Sequence, residues 1–245
     1  MRSRALFTAA LITALALTGC GSKSSGSSSV SEKEVTTGTS EEPTAEPYTG
    51  EIKVTSPSDV GLDTSQAIFE RDYADVPDVD EGPVLKISDT TAKAGENAKV
   101  TISVYNAEGK WDTCGLHIVF PTELECVMNE DAENEPEYEE GLAIKKAQAT
   151  VARMWNKNFP EDLQNQNKGS VFFTAICPEN SGKDGDIVTF FFKVPENAAP
   201  GKVYDINFYY SSNEYTKDLF TGTGCEPSFE KYAFSHCTAG TVTVE

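Results

Sequence analysis

The chain contains two histidines, His117 and His236, and neither sits in a signature that would put an imidazole to work. There is no Gly-x-Ser-x-Gly elbow, no His-Glu-x-x-His pair and no phosphate-binding Gly-x-x-x-x-Gly-Lys loop. Asp and Glu together number 39, so counting alone leaves open a carboxylate pair of the kind that hydrolyses glycosides. Most of these acids fall in loop-like stretches and read as a solvated surface, so no catalysis is expected. His117 reads as a surface or partner-facing residue, and nothing in the sequence decides the role of His236. Besides Cys20 there are five cysteines, Cys114, Cys126, Cys177, Cys225 and Cys237, with no Cys-x-x-Cys spacing to suggest zinc. The odd number leaves at least one thiol free. Cys225 and Cys237 bracket an insertion and are the pair to expect in a disulfide, a closure worth about 3 kcal/mol; free buried thiols are the alternative. The acidic run Asp75–Gly82 resembles a calcium loop only faintly, because it lacks the alternate spacing and the closing glutamate. It reads as solvated linker, and no metal or cofactor is expected.

Cys20 carries the clearest covalent chemistry. Arg2 and Arg4 precede an apolar stretch, Ala5 to Leu17, and then Leu17-Thr18-Gly19-Cys20, which resembles the lipobox of bacterial lipoproteins. Cleavage before Cys20 would leave it as the acylated N-terminus, and two acyl chains anchor stably where one does not. A plain secretory signal with an incidental cysteine is the other reading. Loss of the two arginines takes the net charge from −19 to −21. Such a surface excludes nucleic acid as a partner and is not drawn to anionic bilayers, so the lipid would have to hold the protein at the outer face of the cell membrane.

The elements that must position any site begin late. Residues 20–82 read as a lipidated N-terminus and flexible linker, rich in Ser, Thr, Gly and Glu up to Gly50. As a coil it would span about 40–50 Å. Within it, Thr64 to Tyr73 fits one short helix, and Ile68, Phe69 and Tyr73 are able to dock locally. From Pro83 the period is two. Val84–Ile87, Lys99–Tyr105, Cys114–Phe120, Leu124–Met128, Gly169–Cys177, Asp186–Val194, Val203–Tyr210 and Thr241–Val244 read as strands, with Ala147–Met154 a less regular member. Short strands separated by Gly, Pro, Asn and Asp predict an all-β sandwich or jelly roll over residues 83–245. Three segments break the rhythm: an acidic loop at Asn129–Glu140, one or two helical turns at Asn158–Asn167, and a long insertion at Ser211–Cys237. Two strands, Val171–Ile176 and the centre of Leu116–Phe120, are apolar on both sides. Either they make an exposed plateau for a partner or the insertions or the linker cover them.

Several stretches together resemble the cohesin modules of cellulosomes. Ala107-Glu-Gly-Lys-Trp-Asp-Thr-Cys-Gly-Leu-His-Ile-Val-Phe120 with Leu124-Glu-Cys-Val127 is similar to their third and fourth strands. Asp184-Gly-Asp-Ile-Val-Thr-Phe-Phe-Phe-Lys-Val-Pro195 followed by Ala199-Pro-Gly201 is similar to their seventh strand and turn. Val84-Leu-Lys-Ile, Ala94-Gly95, the Val100–Val104 strand and Gly240-Thr-Val-Thr-Val fit the first, second and last strands, and Asp218-Leu-Phe-Thr221 looks like the divergent ruminococcal members. Phe120-Pro121 stands where many cohesins have Tyr-Asp-Pro after the third strand, and the insertions are large. Both departures bear on subtype and partner choice. The resemblance implies a nine-stranded jelly roll that binds dockerins, the calcium-loaded modules of polysaccharide-degrading enzymes and scaffoldins. The calcium would belong to the partner. The implied face is formed by the family's strands 8, 3, 6 and 5. Carried over, the dockerin-binding positions are His117 and Val119, Val171, Phe173 and Ala175, and Asp205, Asn207 and Tyr209, with Val151 or Arg153 from strand 5.

The expectation is therefore a lipid-anchored cell-surface cohesin, with a monomeric domain that tethers dockerin-bearing proteins. The alternatives are a carbohydrate-binding jelly roll, with Tyr209, Tyr210, Tyr215 and Phe220 as a stacking platform, and an immunoglobulin-like receptor or glycosidase fragment.

Overall fold

The computed structural model of the chain describes residues 63–154 and 166–245, all within the second of its two compact units, Pro43–Glu245. The expected signal peptide, Cys20 and residues 20–62 of the expected tether lie outside the described residues. So does most of the segment expected to form helical turns at Asn158–Asn167. Among the described residues no helix is long and apolar enough to cross a membrane.

Alternating apolar residues build two curled sheets. One joins β1 (Val84–Ile87), β3 (Asn97–Tyr105), β9 (Gly185–Lys193) and β5 (Glu125–Cys126), with β6 (Tyr138–Glu140) also on β9. The other runs β2 (Thr90–Ala92), β12 (Gly240–Val244), β10 (Val203–Tyr209), β4 (Thr113–Pro121), β8 (Lys168–Ile176), β7 (Ala149–Met154), with β11 (Leu219–Thr221) also on β4. Every pairing between named strands is antiparallel except β2 with β12. The core lies between the sheets. Val100, Ile102 and Val104 of β3 and Phe190 and Phe192 of β9 face Leu116, Ile118, Tyr204, Ile206 and Phe208 of the second sheet within one buried cluster. The β-sandwich expected from the period-two pattern is present, with two short helices added. Among the described residues it carries twelve strands rather than nine, because short ladders form within the loops.

Two segments that read as irregular are part of this body. The acidic stretch Asn129–Glu140 contains β6, and the Tyr138 ring packs against Phe173 at 5.7 Å. A tether reaching residue 82 is corrected more substantially. Asp63–Asp72 forms α1, and its Phe69, together with Tyr73 just past its end, is buried against the Tyr210 ring, at 5.6 and 5.7 Å respectively. The Ser65 hydroxyl accepts from the Tyr210 N–H (2.9 Å) and donates to the Tyr210 carbonyl (3.2 Å), completing the dock. Further on, Lys231 of the second helix α2 (Pro227–Ser235) donates to the Val76 carbonyl and pairs with Asp78. The expected short helix and its docking residues Phe69 and Tyr73 are thus present, but no local pattern pointed to Tyr210 as the ring they meet.

The Cys225–Cys237 disulfide is also corrected: all five cysteines of the domain are free thiols. Cys225 precedes α2 and Cys237 follows it. A nine-residue helix rises about 13 Å, well beyond the roughly 7 Å that a disulfide tolerates between Cα atoms. The Cys225 thiol donates instead to the Lys110 carbonyl at 2.9 Å.

Candidate functional site

β4 is the middle strand of the face under consideration: all of its residues pair with β8, and most pair with β10 or β11 on the other side. Residues opposite one another in an antiparallel pair share a face, so the register assigns inside and outside without ambiguity. Leu116 stands opposite Phe173, and Phe173 opposite Ala152; Ile118 stands opposite Val171, and Cys114 opposite Ala175. All seven belong to the buried core. Val171, Phe173 and Ala175 therefore point inward, and their expected place on the docking face is wrong. A strand apolar on both sides carries little phase information, and a slip of one residue exchanges its faces. Phe172, Thr174, Ile176 and Ser170 form the outer set. Ser170 and Thr174, the two hydroxyl residues of equal parity, were the signal that would have set the phase.

His117 and Val119 are on the outer side, opposite Phe172 and Ser170 on β8 and opposite Tyr209 and Asn207 on β10. They are nevertheless buried, as is Tyr209, while Asn207 is half-buried and Asp205 exposed. The bare plateau expected around Val119 and Phe173 does not exist. Part of the cover comes from an interruption in the neighbouring strand. β10 and β11 both pair with β4, Tyr209 opposite His117 and Leu219 opposite Gly115. Two residues of progress along β4 thus correspond to ten on the facing chain. The excess is a hairpin, in which the Asp218 N–H donates to the Ser211 carbonyl at 2.8 Å and Ser212 bridges Lys217.

The base of this hairpin is a buried polar knot. The Asp218 carboxylate accepts from the His117 amide (2.7 Å), the Ser211 amide (2.6 Å) and lies 2.9 Å from His117 Nδ1. Both side chains are 0% exposed. The carboxylate supplies an acceptor to β4 where the regular strand has left its line. Burial pushes the Asp218 carboxyl above the ordinary range, against the opposing pull of His117 and the two amides. The hairpin crosses the outer face closely. A Cβ on Gly115 would sit 2.6 Å from the Lys217 carbonyl oxygen, so only glycine admits the crossing. Sequence reasoning had no access to this knot, whose two side chains lie 101 residues apart.

Beyond the hairpin the face is open. Gly115, Thr174 and Val151 form one outer row, and Thr113, Ile176 and Ala149 the next. Val151 is 40% and Ile176 48% exposed, with Ala149 exposed and Thr174 half-buried. Arg153 stands opposite Phe172 and pairs with Glu135. The accessible apolar ground is thus a ledge of β7 and β8, displaced from the centre of the sheet.

Nothing here is arranged for bond-making. The His117–Asp218 pair is sealed from any substrate. His236 lies flat on Tyr232, with ring centroids 3.7 Å apart, and its Nδ1 is 2.9 Å from the Ser235 hydroxyl. Burial pushes the Cys114 and Cys126 thiols up to about 12, leaving essentially no thiolate at neutral pH. Among the described residues no group of three or more His, Cys, Asp or Glu is placed to hold a metal ion. The sugar-stacking platform is also not formed: Tyr209, Tyr210 and Phe220 are buried, and of the four rings only Tyr215 is exposed.

Comparison with known proteins gives a consistent result. The family described as Cohesin domain matches residues 83–218. A type III cohesin module from the cell-surface anchoring scaffoldin ScaE of Ruminococcus flavefaciens superimposes with a TM-score of 0.57 at 26% identity, covering 71% of this chain and 92% of that one. The third cohesin of ScaC from Acetivibrio cellulolyticus, solved with the ScaB dockerin, gives 0.47 at 20% identity, covering 66% and 98%. The OlpA cohesin of Clostridium thermocellum, also solved with a dockerin, gives 0.48 at 12%, covering 67% and 100%. No curated protein sequence matches the chain.

Proposed function

The chain belongs to the cohesin family, whose domains are non-catalytic binding modules, and on that premise we propose that it captures dockerin modules at the bacterial surface while anchored through an acylated Cys20. The family match over residues 83–218 carries the reading. The sheet that the resemblance assigns to docking corresponds here to β10 and β11, β4, β8 and β7. Its accessible part, around Val151, Ile176, Ala149 and Thr174, is an apolar patch bordered by the exposed Arg153, while Asn207 and Asp205 lie towards the opposite end of the sheet. A helix of the partner laid on this ledge would bury both aliphatic side chains, and the border would fix its orientation. The calcium belongs to the dockerin. The lipobox-like Leu17–Cys20 and the polar residues after it support attachment by lipid, with the following segment holding the domain away from the bilayer.

The test of capture uses the chain from Cys20 onward, expressed without its signal so that it stays unacylated, against a panel of recombinant calcium-loaded dockerins. Submicromolar binding that Ile176→Asp or Val151→Asp reduces at least a hundredfold, with the melting temperature unchanged, is expected. No binding to any dockerin would refute the reading. Attachment is tested separately by expressing the full chain with and without Cys20→Ser. The unaltered chain should partition with membranes and incorporate labelled palmitate, and the variant should do neither.

A further inference from the structure

We propose that Tyr215, at the tip of the hairpin that interrupts the β10–β11 strand line, is a specificity-determining contact for the dockerin; this rests on the dockerin-binding reading above. Tyr215 is 81% exposed and is the one aromatic among the exposed large hydrophobic residues of the described chain. It has no part in the core, so folding does not account for a large ring at that position.

The hairpin holds the ring out on a fixed base. Asn213 Oδ1 accepts from the Tyr215 N–H at 2.9 Å, a local turn that shapes the tip. Ser212 bridges Lys217 across the two legs, and Arg71 of α1 donates to the Ser212 hydroxyl at 2.8 Å. Beneath them lies the sealed Asp218–His117 knot. A ring presented this way loses little conformational freedom when a partner covers it, and tyrosine is among the residues that most often dominate protein interfaces.

The hairpin also stands in the right place. The Lys217 carbonyl lies over the outer face at Gly115, and Gly115 shares its row with Thr174 and Val151 of the ledge. The hairpin therefore walls one side of the ledge. A helix resting on Val151 and Ile176 would meet this wall, where Tyr215 offers apolar surface and a hydroxyl between the exposed Glu214 and Lys217. Sheet contacts supply general grip, while the wall discriminates between dockerins by the side chains they present to it.

The experiment measures affinities of the same unacylated chain and its Tyr215→Ala, Tyr215→Phe and Ile176→Asp variants for the dockerin panel. Expected results are an unchanged melting temperature for all three and at least tenfold weaker binding of the preferred dockerin by Tyr215→Ala. Tyr215→Phe should retain most of the affinity. Ile176→Asp abolishing capture while Tyr215→Ala binds every dockerin within about threefold of the unaltered chain would overturn the inference and leave the docking face standing. Failure of the unaltered chain to bind any dockerin, or indifference of binding to Ile176→Asp, would overturn the functional reading and this inference with it.

Discussion

Replacing Asp218 by alanine should destabilise the domain more than any single change to its outer surface. The carboxylate satisfies the amides of His117 and Ser211 and engages His117 Nδ1, in a site with 0% exposure. Each orphaned buried donor costs about 1–3 kcal/mol. Water admitted to the vacated space recovers part of this, so the expected loss is about 3–5 kcal/mol, the range found when one member of a buried polar pair is removed. For a domain of this size each kcal/mol moves the melting temperature by about 2–4 °C, a fall of roughly 6–20 °C. Asp218→Asn should cost less, because the amide oxygen keeps one acceptor position and the desolvated charge is gone. The assay is urea and thermal unfolding of the three proteins, followed by circular dichroism at matched pH. A loss below about 1 kcal/mol in Asp218→Ala would refute the reasoning, because the knot would then be dispensable to the hairpin and to β4.

Other outcomes follow from the same geometry. Since the folded-state carboxyl of Asp218 is raised, the native chain binds its proton more tightly than the unfolded chain. The stability advantage of the unaltered protein over Asp218→Asn should therefore shrink as pH rises from about 4; urea midpoints measured over that range check the sign, and a growing advantage would contradict it. Phe173→Asp, which puts a charge in the core, should abolish folding, whereas Ile176→Asp should leave the melting temperature within about a degree; soluble expression and circular dichroism of both test the face assignment of β8. Phe69→Ala should cost about 3 kcal/mol if α1 is part of the domain, seen as a lower urea midpoint, and a null effect would return residues 63–82 to the tether.

Residues 83–245 declared their fold in one dimension. The alternation in Lys99–Tyr105, the punctuation at Pro178–Gly185 and Pro195–Lys202 and the order of the resembling segments were enough to place the strands, since period-two burial is a local property of a pleated backbone. The scarcity of catalytic signatures was equally plain. Which face each residue occupies was another matter. Val119 and Phe173 both read as outward and apolar, yet one is buried outside the core and the other within it. Alternation fixes only parity along a strand, and parity along β8 becomes inside or outside only when Leu116 of β4 is set opposite Phe173.

The interruption at 210–218, the docking of Phe69 and Tyr73 on Tyr210, and the separation of Cys225 from Cys237 by a whole helix were likewise decided in three dimensions. Each depends on residues distant in sequence: 101 positions from His117 to Asp218 and 145 from Ser65 to Tyr210. The sequence by itself determined that this chain is a sandwich built to hold something rather than to react with it. The tertiary structure alone decided which outer residues stay accessible, because exposure is what remains after strands, hairpin and helix have covered one another, and no local pattern of residues carries that information.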